Sequence, residues 1–468
     1  MKFVFSFILS ILFAVSAAAQ TQDFAVFAKT AAGQRVVAYF DAFNSGDEKK
    51  LGTYFTENIS AESLKQRGVE PRLAFHRQVK SDFKTILIKK IVSATDGEIK
   101  LLAQTANGSW ISYSFALEAD AAKKITGMQI QPVDEPDNRE LPIPTYPAPA
   151  NESELLSTTE KMFGDISRAD AFSGVVMIAK GDRPILSKAF GYANTEKKTP
   201  NRPDTKFNLG SINKMFTRIA IGQLLKQGKL SFDDKLIRLL PDYPNHDIAS
   251  KITIGQIVTM KSGLGDFFGD KFLSADKSKI RSLQDYLPFF VNEPLEFEPG
   301  TKNRYSNAGY LVLGLVIEKL SGQNYYDYVR EHIFKPTGMN DTDSYAIDSL
   351  PANTATGYMN KGSNGRDSNA HALPGRGSSA GGGYSTAGDM LKFSNALRSK
   401  KLEIPGDDGS FPADFKAAGF AGGSEGVNAL FITNGQTGYT IVVLSNYEPP
   451  SAERPGTLVR DWLKQIKQ

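Results

Sequence analysis

The sequence predicts an α+β protein with two folded domains, and three observations lead to this prediction. A run from Gln131, QPVDEPDNRELPIPTYPAPANE, carries six prolines, which exclude helix and favour an extended linker over residues 132–152. Before it, residues 20–131 show helix patterns followed by strand patterns. After it, residues 153–468 alternate quickly between strand and helix. The chain of 468 residues is long enough for two hydrophobic cores.

The first element is a predicted signal peptide over residues 1–19. Lys2 gives a short positive start, and Phe3 to Val15 form an apolar run too short to span a bilayer comfortably. The small residues Ala17 to Ala19 then offer a cleavage site. We therefore expect a periplasmic or secreted protein with no stable membrane insertion after cleavage. An uncleaved membrane anchor is the alternative.

Composition removes several kinds of chemistry. The chain has no cysteine, which excludes disulfides, thiolate metal sites and a cysteine nucleophile. Its four histidines are scattered without metal-ligand spacing, so no metal site is expected. With 55 basic against 51 acidic residues and no long basic run, nucleic acid is not an expected partner. The available groups are oxygen nucleophiles, carboxylates, lysine and tyrosine.

The N-terminal domain reads as helices followed by a sheet. RVVAYFDAFNSGDEKKLGTYF suggests two helices broken at Ser45–Asp47. Large apolar residues alternate with small ones from Ile111 to Leu117, which is the period-two pattern of a half-buried strand. Similar runs complete a four-stranded meander at residues 85–92, 98–105 and 124–131. The pattern resembles the NTF2-like α+β cone, and we expect a packing or docking module without chemistry of its own.

A serine and a lysine in FNLGSINKMF, residues 207–216, are the first candidates for catalysis. Ser-x-x-Lys occurs three times in the chain, but only Ser211 follows a strand-like segment and a glycine and opens a strongly apolar helix. Residues three apart on a helix share a face, so the Lys214 amine can lie beside the Ser211 hydroxyl. Burial would lower the pKa of that amine and make it a base. Alternatively, Ser211 is a helix cap and Lys214 reaches solvent.

A tyrosine and an asparagine in the run EFEPGTKNRYSNAGYLVLGLVIEKLSG form the second candidate pair. A turn at Pro299-Gly300 precedes Tyr305 and Asn307, and a strongly apolar helix follows. Tyr305 held near Lys214 could pass a proton to a leaving group, and the Asn307 amide could orient lysine and substrate. The alternative is a core tyrosine followed by a turn asparagine.

These runs, with ITIGQIVTMKSGLGDF, HIFKPTGMNDT and SSAGGGYSTAGDMLKFSNAL in the same order, resemble the serine β-lactamase and penicillin-binding-protein superfamily. The resemblance covers roughly residues 155–465 and is to the class C-like branch. It implies an antiparallel sheet flanked by helices plus a helical subdomain. It also implies Ser211 as acylated nucleophile, Lys214 as general base and Tyr305 as general acid/base, with Asn307 in support. A small-molecule or peptide substrate is expected, and no cofactor.

The third motif of that superfamily differs in this chain. Where Lys-Thr-Gly or His-x-Gly usually lines the cleft, Phe420, Ala421 and Gly422 stand as candidate substrate-binding residues. The N–H of Gly423 can still pair with that of Ser211 as an oxyanion hole. The missing cation and hydroxyl would bind a substrate carboxylate, so their loss weighs against penicillins and D-Ala termini. Phe420 suits a neutral acyl or ester group.

We therefore predict an exported serine hydrolase that acts on an ester or amide through an acyl-enzyme. One alternative is a β-lactamase or D,D-peptidase in which an arginine such as Arg376 replaces the missing cation. Another is a non-catalytic protein whose cleft binds a cell-wall or peptide ligand, and a last one is a structural module whose N-terminal domain carries binding. The Gly-x-Ser-x-Gly match at Gly377–Gly381 lacks the strand and helix that a nucleophile elbow requires.

Overall fold

The computed structural model describes residues 27–95, 97–106, 109–120, 122–133, 143–360, 365–402, 419–434 and 437–466. The predicted signal peptide and the middle of the predicted linker lie outside these residues. Within the described ranges, no helix combines the length and apolar character needed to cross a membrane. The chain divides into two compact units, Met1–Asn138 and Arg139–Gln468.

Within its described residues, the N-terminal unit places four helices before a four-stranded antiparallel sheet. The predicted order of helices and sheet is confirmed, although only the first two of these helices were predicted. The helices are α1 Ala31–Ser45, α2 Glu48–Asn58, α3 Ala61–Gln66 and α4 Val69–Phe83. The strands, in sheet order, are β1 Ile86–Ala94, β2 Glu98–Thr105, β3 Trp110–Leu117 and β4 Ile125–Val133. The predicted break between the first two helices is confirmed, because Asp47 starts α2 by accepting the N–H groups of Lys49 and Lys50.

Strand β3 supplies much of the core of this unit. Its buried residues alternate with partly or fully exposed ones from Ile111 onward, which confirms the period-two prediction. Tyr113 and Phe115 lie on the buried face and stack with ring centroids 5.8 Å apart. Tyr39 of α1 packs against both rings. The space between helices and sheet is therefore filled with aromatic side chains.

The C-terminal unit is built on a five-stranded antiparallel sheet, in which the first strand of the unit pairs with the second strand on one side and with the last strand of the chain on the other. Its strands, in chain order, are β5 Gly174–Lys180, β6 Arg183–Phe190, β13 Gly419–Ser424, β14 Val427–Thr433 and β15 Tyr439–Ser445. Short strands pair elsewhere in the unit: β7 Tyr192–Asn194, β8 Thr199–Pro200, β9 Phe207–Asn208, β10 Tyr358–Asn360, β11 Arg366–Ser368 and β12 Tyr384–Ser385.

Helices cover both faces of this sheet and form a helical region beside it. The longer ones are α5 Glu152–Arg168, α6 Lys214–Lys226, α11 Asn307–Ser321, α14 Ala387–Arg398 and α15 Glu453–Ile466. The shorter ones are α7 Leu236–Leu239, α8 His246–Lys251, α9 Ile254–Val258, α10 Asp270–Leu273, α12 Tyr325–Val329 and α13 Lys335–Thr337. The predicted α+β architecture, with an antiparallel sheet flanked by helices and a helical subdomain, is confirmed.

Strand β5 shows why the sheet sustains two cores. Val176 and Ile178 point into the cluster that α5 and α15 cover. Val175 and Met177 point into the larger cluster that contains α6 and α11. Successive side chains of a strand face opposite sides, so an unbroken apolar run can serve both layers. The second layer holds the helices that carry the candidate catalytic residues.

Candidate active site

Ser211 lies in a tight turn immediately before α6. The turn is a 3-10 helix, Gly210–Asn213, and the α-helix begins only at Lys214, so Ser211 precedes the α-helix that it was predicted to open. Gly210 has φ of 50°, and a Cβ there would lie 2.9 Å from the backbone N of Gly423. The turn therefore needs glycine to approach β13. The Ser211 hydroxyl faces Lys214 and Tyr305 instead of capping the helix.

The Lys214 amine is enclosed. The residue is only 6% exposed, so the alternative in which its side chain reaches solvent is wrong. Its Nζ lies 3.1 Å from Ser211 Oγ, 2.6 Å from Asn307 Oδ1 and 2.5 Å from the Ala380 carbonyl oxygen. A neutral amine has two N–H groups and one lone pair. The two carbonyl oxygens can take the N–H groups, which leaves the lone pair for the Ser211 hydroxyl.

Two titratable groups flank Ser211, and their pKa values differ strongly. Burial lowers the pKa of Lys214 to about 7, while the charge of Asp266 opposes this shift. Tyr305 donates to Ser211 Oγ across 2.6 Å. Its side chain is half exposed, but desolvation of the hydroxyl end raises the pKa of the phenol to about 12. Near neutral pH the amine can therefore lose its proton while the phenol keeps its own. The arrangement places one potential base and one potential acid on the same hydroxyl.

Asp266 is a site residue that the sequence analysis missed. Asn307, at the start of α11, donates from Nδ2 to Asp266 Oδ2 across 2.6 Å while its Oδ1 accepts from Lys214. The other carboxylate oxygen accepts the N–H groups of Phe267 and Phe268 at 2.7 and 3.2 Å. Asp266 thus fixes which way the Asn307 amide points. A carboxylate directly after the glycine-rich SGLG turn was the available signal.

The structure corrects the prediction that Phe420 lines the cleft. Its side chain packs against the main core, and the residue lies opposite Phe431 in the sheet register. Ala421 and Gly423 lie on the opposite face of β13 from Phe420, and they line the cavity beside Ser211. The prediction placed three consecutive residues on one lining surface, but neighbouring side chains of a strand face opposite sides of the sheet.

Gly422 permits close contact between β13 and the Ser211 turn. A Cβ at this position would lie 2.1 Å from the Leu209 carbonyl oxygen and 2.8 Å from the backbone N of Ser211. Gly422 therefore allows the backbone of β13 to approach the backbone of the Ser211 turn closely. Because it has no side chain, it offers a substrate no side-chain contact. Because β13 is an edge strand, its outward N–H groups are not used by the sheet. The N–H groups of Ser211 and Gly423 can therefore serve one oxygen atom in the cleft.

A cavity of about 900 Å³ opens beside these groups. Ser211, Tyr305 and Asn307 line it together with Ala421 and Gly423. Five apolar or aromatic residues form one part of its wall: Phe267, Phe268, Phe272, Leu273 and Tyr286. Among the residues the structure describes, no group of three or more histidine or carboxylate side chains is placed to hold a metal ion.

Two other sequence candidates lie outside the reacting centre. Arg376 donates from Nε to the Ser344 carbonyl oxygen, and its guanidinium lies 3.6 Å from the centre of the Tyr326 ring. It is not among the residues that line the cavity, so it does not replace the missing cation there. Ser378 and Ser379 of the Gly-x-Ser-x-Gly match are buried, and the segment contributes the Ala380 carbonyl to the site.

Comparison with known proteins agrees with this geometry. Residues 159–464, well over half of the chain, match the family model described as Beta-lactamase. The chain therefore belongs to the β-lactamase family of serine hydrolases, which confirms the resemblance found in the sequence.

Two relatives and one solved structure show the extent of the similarity. The chain is 36% identical to Penicillin-binding protein 4* of Bacillus subtilis over 188 residues, which are 40% of this chain and 41% of that protein. It is 31% identical to the Putative penicillin-binding protein PbpX of the same organism over 288 residues, 58% of this chain and 70% of that one. A crystal structure of a penicillin-binding protein from Bacillus halodurans matches with a TM-score of 0.56 and 30% identity, covering 64% of this chain and 98% of that chain.

Proposed function

We propose that this protein is an exported serine hydrolase that cleaves an ester or amide through an acyl-enzyme. One observation carries the proposal: a buried lysine amine lies 3.1 Å from Ser211 Oγ while two carbonyl oxygens occupy its other hydrogen-bonding positions. This arrangement suits a neutral amine that accepts the serine proton.

Acylation begins when Ser211 Oγ bonds to the substrate carbonyl carbon and its proton passes to Lys214 Nζ. The carbonyl oxygen becomes an oxyanion that the N–H groups of Ser211 and Gly423 stabilise. When the C=O bond re-forms, the bond to the leaving group breaks. Tyr305 gives its proton to the departing oxygen or nitrogen and is reprotonated from Lys214.

Deacylation repeats these steps with water as nucleophile. The water oxygen bonds to the acyl carbon and gives a proton to Lys214. Collapse of the second oxyanion breaks the bond to Ser211 Oγ, which recovers a proton, and releases the carboxylic acid. Asn307, held by Asp266, keeps the lysine amine aimed at the serine through both half-reactions.

The cleft does not favour a substrate carboxylate beside β13. Ala421 and Gly423 offer no cation there, and the carboxylates of Glu425 and Glu453 lie among the lining residues. An anionic group at this edge would be repelled, whereas a neutral ester or amide would not.

A β-lactamase or D,D-peptidase activity is the second candidate, because the relatives that the chain resembles carry the name penicillin-binding protein. A chromogenic cephalosporin distinguishes the two candidates. Rapid turnover of the cephalosporin would favour the second one, and turnover of short-chain p-nitrophenyl esters without it would favour the first.

The decisive test is covalent labelling of the purified protein with an activated phosphonate, followed by mass spectrometry of the intact chain. We expect one adduct, at Ser211, that Ser211→Ala abolishes. Ser379→Ala is the matched control, since that serine is also buried in this region but belongs to the elbow-like match. Labelling that survives Ser211→Ala would contradict the proposed nucleophile, and absence of both adduct and turnover would favour a binding protein.

Export is supported only by residues 1–19 of the sequence. We expect the protein in the periplasm or the medium, with its N-terminus near Gln20. Fractionation and N-terminal sequencing test this, and deletion of residues 2–19 should retain the protein in the cytoplasm.

A further inference from the structure

Exposed apolar side chains in the C-terminal unit are concentrated at the catalytic cleft. Among its described residues, four large apolar or aromatic side chains are exposed: Tyr192, Phe268, Leu273 and Tyr305. Three of these four line the one cavity that contains Ser211, and Phe268 and Leu273 are 52% and 62% exposed. An apolar patch left in water beside a reactive group indicates a binding surface.

The Phe268 ring is supported from behind by a rigid aromatic cluster. Phe267 lies 4.3 Å away between ring centroids, and Phe272 meets the Phe268 ring at 88° across 5.2 Å. Phe267 in turn packs on the buried Tyr286 at 5.0 Å. The supporting rings are buried, so the exposed ring is held in place before any ligand arrives. A preorganised surface loses little entropy on binding.

The same cluster is tied to the catalytic centre through Asp266. One carboxylate oxygen holds the N–H groups of Phe267 and Phe268, and the other holds the Asn307 amide that contacts Lys214. The apolar wall therefore has a fixed position relative to the Ser211 hydroxyl. A group bound on that wall would place the attached carbonyl reproducibly at the nucleophile.

Lys277 is the one lysine or arginine among the described residues that line this cavity. Lys277 donates from Nζ to the Leu273 carbonyl oxygen across 2.9 Å and lies 5.6 Å from the centre of the Phe272 ring. It closes the end of α10 and stabilises the aromatic cluster. The surface formed by Phe268 and Leu273 therefore offers a ligand apolar contact, with the Lys277 cation beside it.

We propose that Phe268 and Leu273, supported by Phe267, Phe272 and Tyr286, form a subsite for a bulky apolar group of the substrate, of aryl or medium-chain alkyl type. This inference rests on the proposed hydrolase function and adds the substrate class. The group can belong to the acyl part or to the leaving group of the substrate.

The test measures kcat/KM along two ester series. One varies the acyl chain from acetyl to octanoyl on a constant p-nitrophenyl leaving group, and the other varies the alcohol from methyl to benzyl on a constant acetyl group. Each buried methylene is worth about 0.8 kcal/mol, or about fourfold in kcat/KM, so at least one series should rise by tenfold or more. A flat response in both series would overturn the inference.

Two variants test whether Phe268 and Leu273 cause the preference for bulky apolar substrates. Phe268→Ala with Leu273→Ser should flatten the responsive series, because the apolar surface that each added methylene contacts is removed. Tyr192→Ala, exposed in the same unit but outside the cavity, is the matched control and should keep the slope. An unchanged slope in the double variant would also overturn the inference.

Phosphonate labelling separates this failure from failure of the proposed function. If a small phosphonate labels Ser211 and the acetyl ester turns over while both series stay flat, the subsite is wrong and the hydrolase stands. If neither labelling nor turnover occurs, the proposed function itself is wrong.

Discussion

Both units of the molecule bury a basic side chain, and the comparison shows what burial alone can and cannot do. In the N-terminal unit, His76 contacts the Arg72 carbonyl oxygen at 2.8 Å and the Tyr39 hydroxyl at 2.9 Å. Burial lowers its pKa to about 4. In the C-terminal unit, burial lowers the pKa of Lys214 to about 7. The physical cause is the same at both sites.

The surroundings of the two groups differ. Aromatic rings pack around His76, among them Phe55 with ring centroids 4.9 Å apart, and the cavity that borders it has a volume of only about 140 Å³. Lys214 contacts a serine hydroxyl at the edge of a cavity of about 900 Å³. A shifted pKa indicates a functional site only when the shifted group reaches a reactive partner and an open space. We therefore assign His76 a structural role.

Replacing the buried lysine should have the largest effect. Lys214→Met removes the proposed base, so kcat/KM for esters should fall by at least about 10³-fold. The lysine should also affect how the free energy of unfolding depends on pH. The pKa is lower in the folded state, so the unfolded chain binds more protons between about pH 7 and 10.5, and the stability of the wild type should rise with pH in that window.

Urea unfolding followed through Trp462 in a Trp110→Phe background measures the slope of the unfolding free energy against pH in the C-terminal unit. Lys214→Met should flatten it. Lys229→Met, an exposed lysine just beyond the same helix, is the control and should change neither activity nor slope. If Lys214→Met kept full activity, Lys214 would not be the catalytic base, and like His76 it would have only a structural role.

Tyr305→Phe should lower kcat by about 10²-fold, because the leaving group loses its proton donor. The loss should be larger for alkyl esters and amides than for p-nitrophenyl esters, since p-nitrophenolate departs without protonation. Comparison of these substrates is the measurement, with Tyr192→Phe as control. Equal losses for all leaving groups would mean that Tyr305 acts in some other way.

Asp266→Asn should have a smaller effect, about tenfold on kcat. The new amide would turn a donor toward Asn307 and favour the flipped Asn307 amide, which cannot accept from Lys214. Because the Asp266 charge raises the pKa of Lys214, its removal should also move the acid limb of the pH–rate profile to lower pH. Asp270→Asn is the control, and an unmoved acid limb would contradict the positioning role.

His76→Gln should leave ester hydrolysis unchanged and alter only the N-terminal unit. The lowered pKa means that the unfolded chain takes up a proton first as the pH falls from about 6.5 to 4, so the wild type should lose up to about 3 kcal/mol of stability across that window. The variant should lose less. Urea unfolding followed through Trp110 in a Trp462→Phe background measures this loss of stability. A change in kcat would show that the two units are coupled.

Local patterns in the sequence predicted a large part of this protein. Period-two alternation located the N-terminal meander. The apolar residues around α6 made a buried Lys214 one of two alternatives, the other being a side chain that reaches solvent. The spacing of three residues placed the lysine beside the serine. In each case the evidence lies within a few turns of helix or one strand, where backbone geometry alone relates the side chains.

The errors and omissions arise where distant segments meet. Phe420 was assigned to the cleft because the position of a motif does not reveal which face of β13 each residue takes. Asp266 was missed because its partner, Asn307, lies 41 residues further along the chain. Which face and which partner are chosen depends on how the edge strand and the helical region pack together.

By itself, the sequence determined the α+β class, the order of helices and strands in the N-terminal unit and the serine–lysine pair as a candidate site, because short-range periodicity and sterics set them. Only the tertiary structure decided that the lysine amine faces the amide of a residue 93 positions away and a carbonyl 166 positions away. The same packing left an aromatic surface open beside the serine. Such contacts depend on the closing of long loops around a shared core, and no local pattern encodes their geometry.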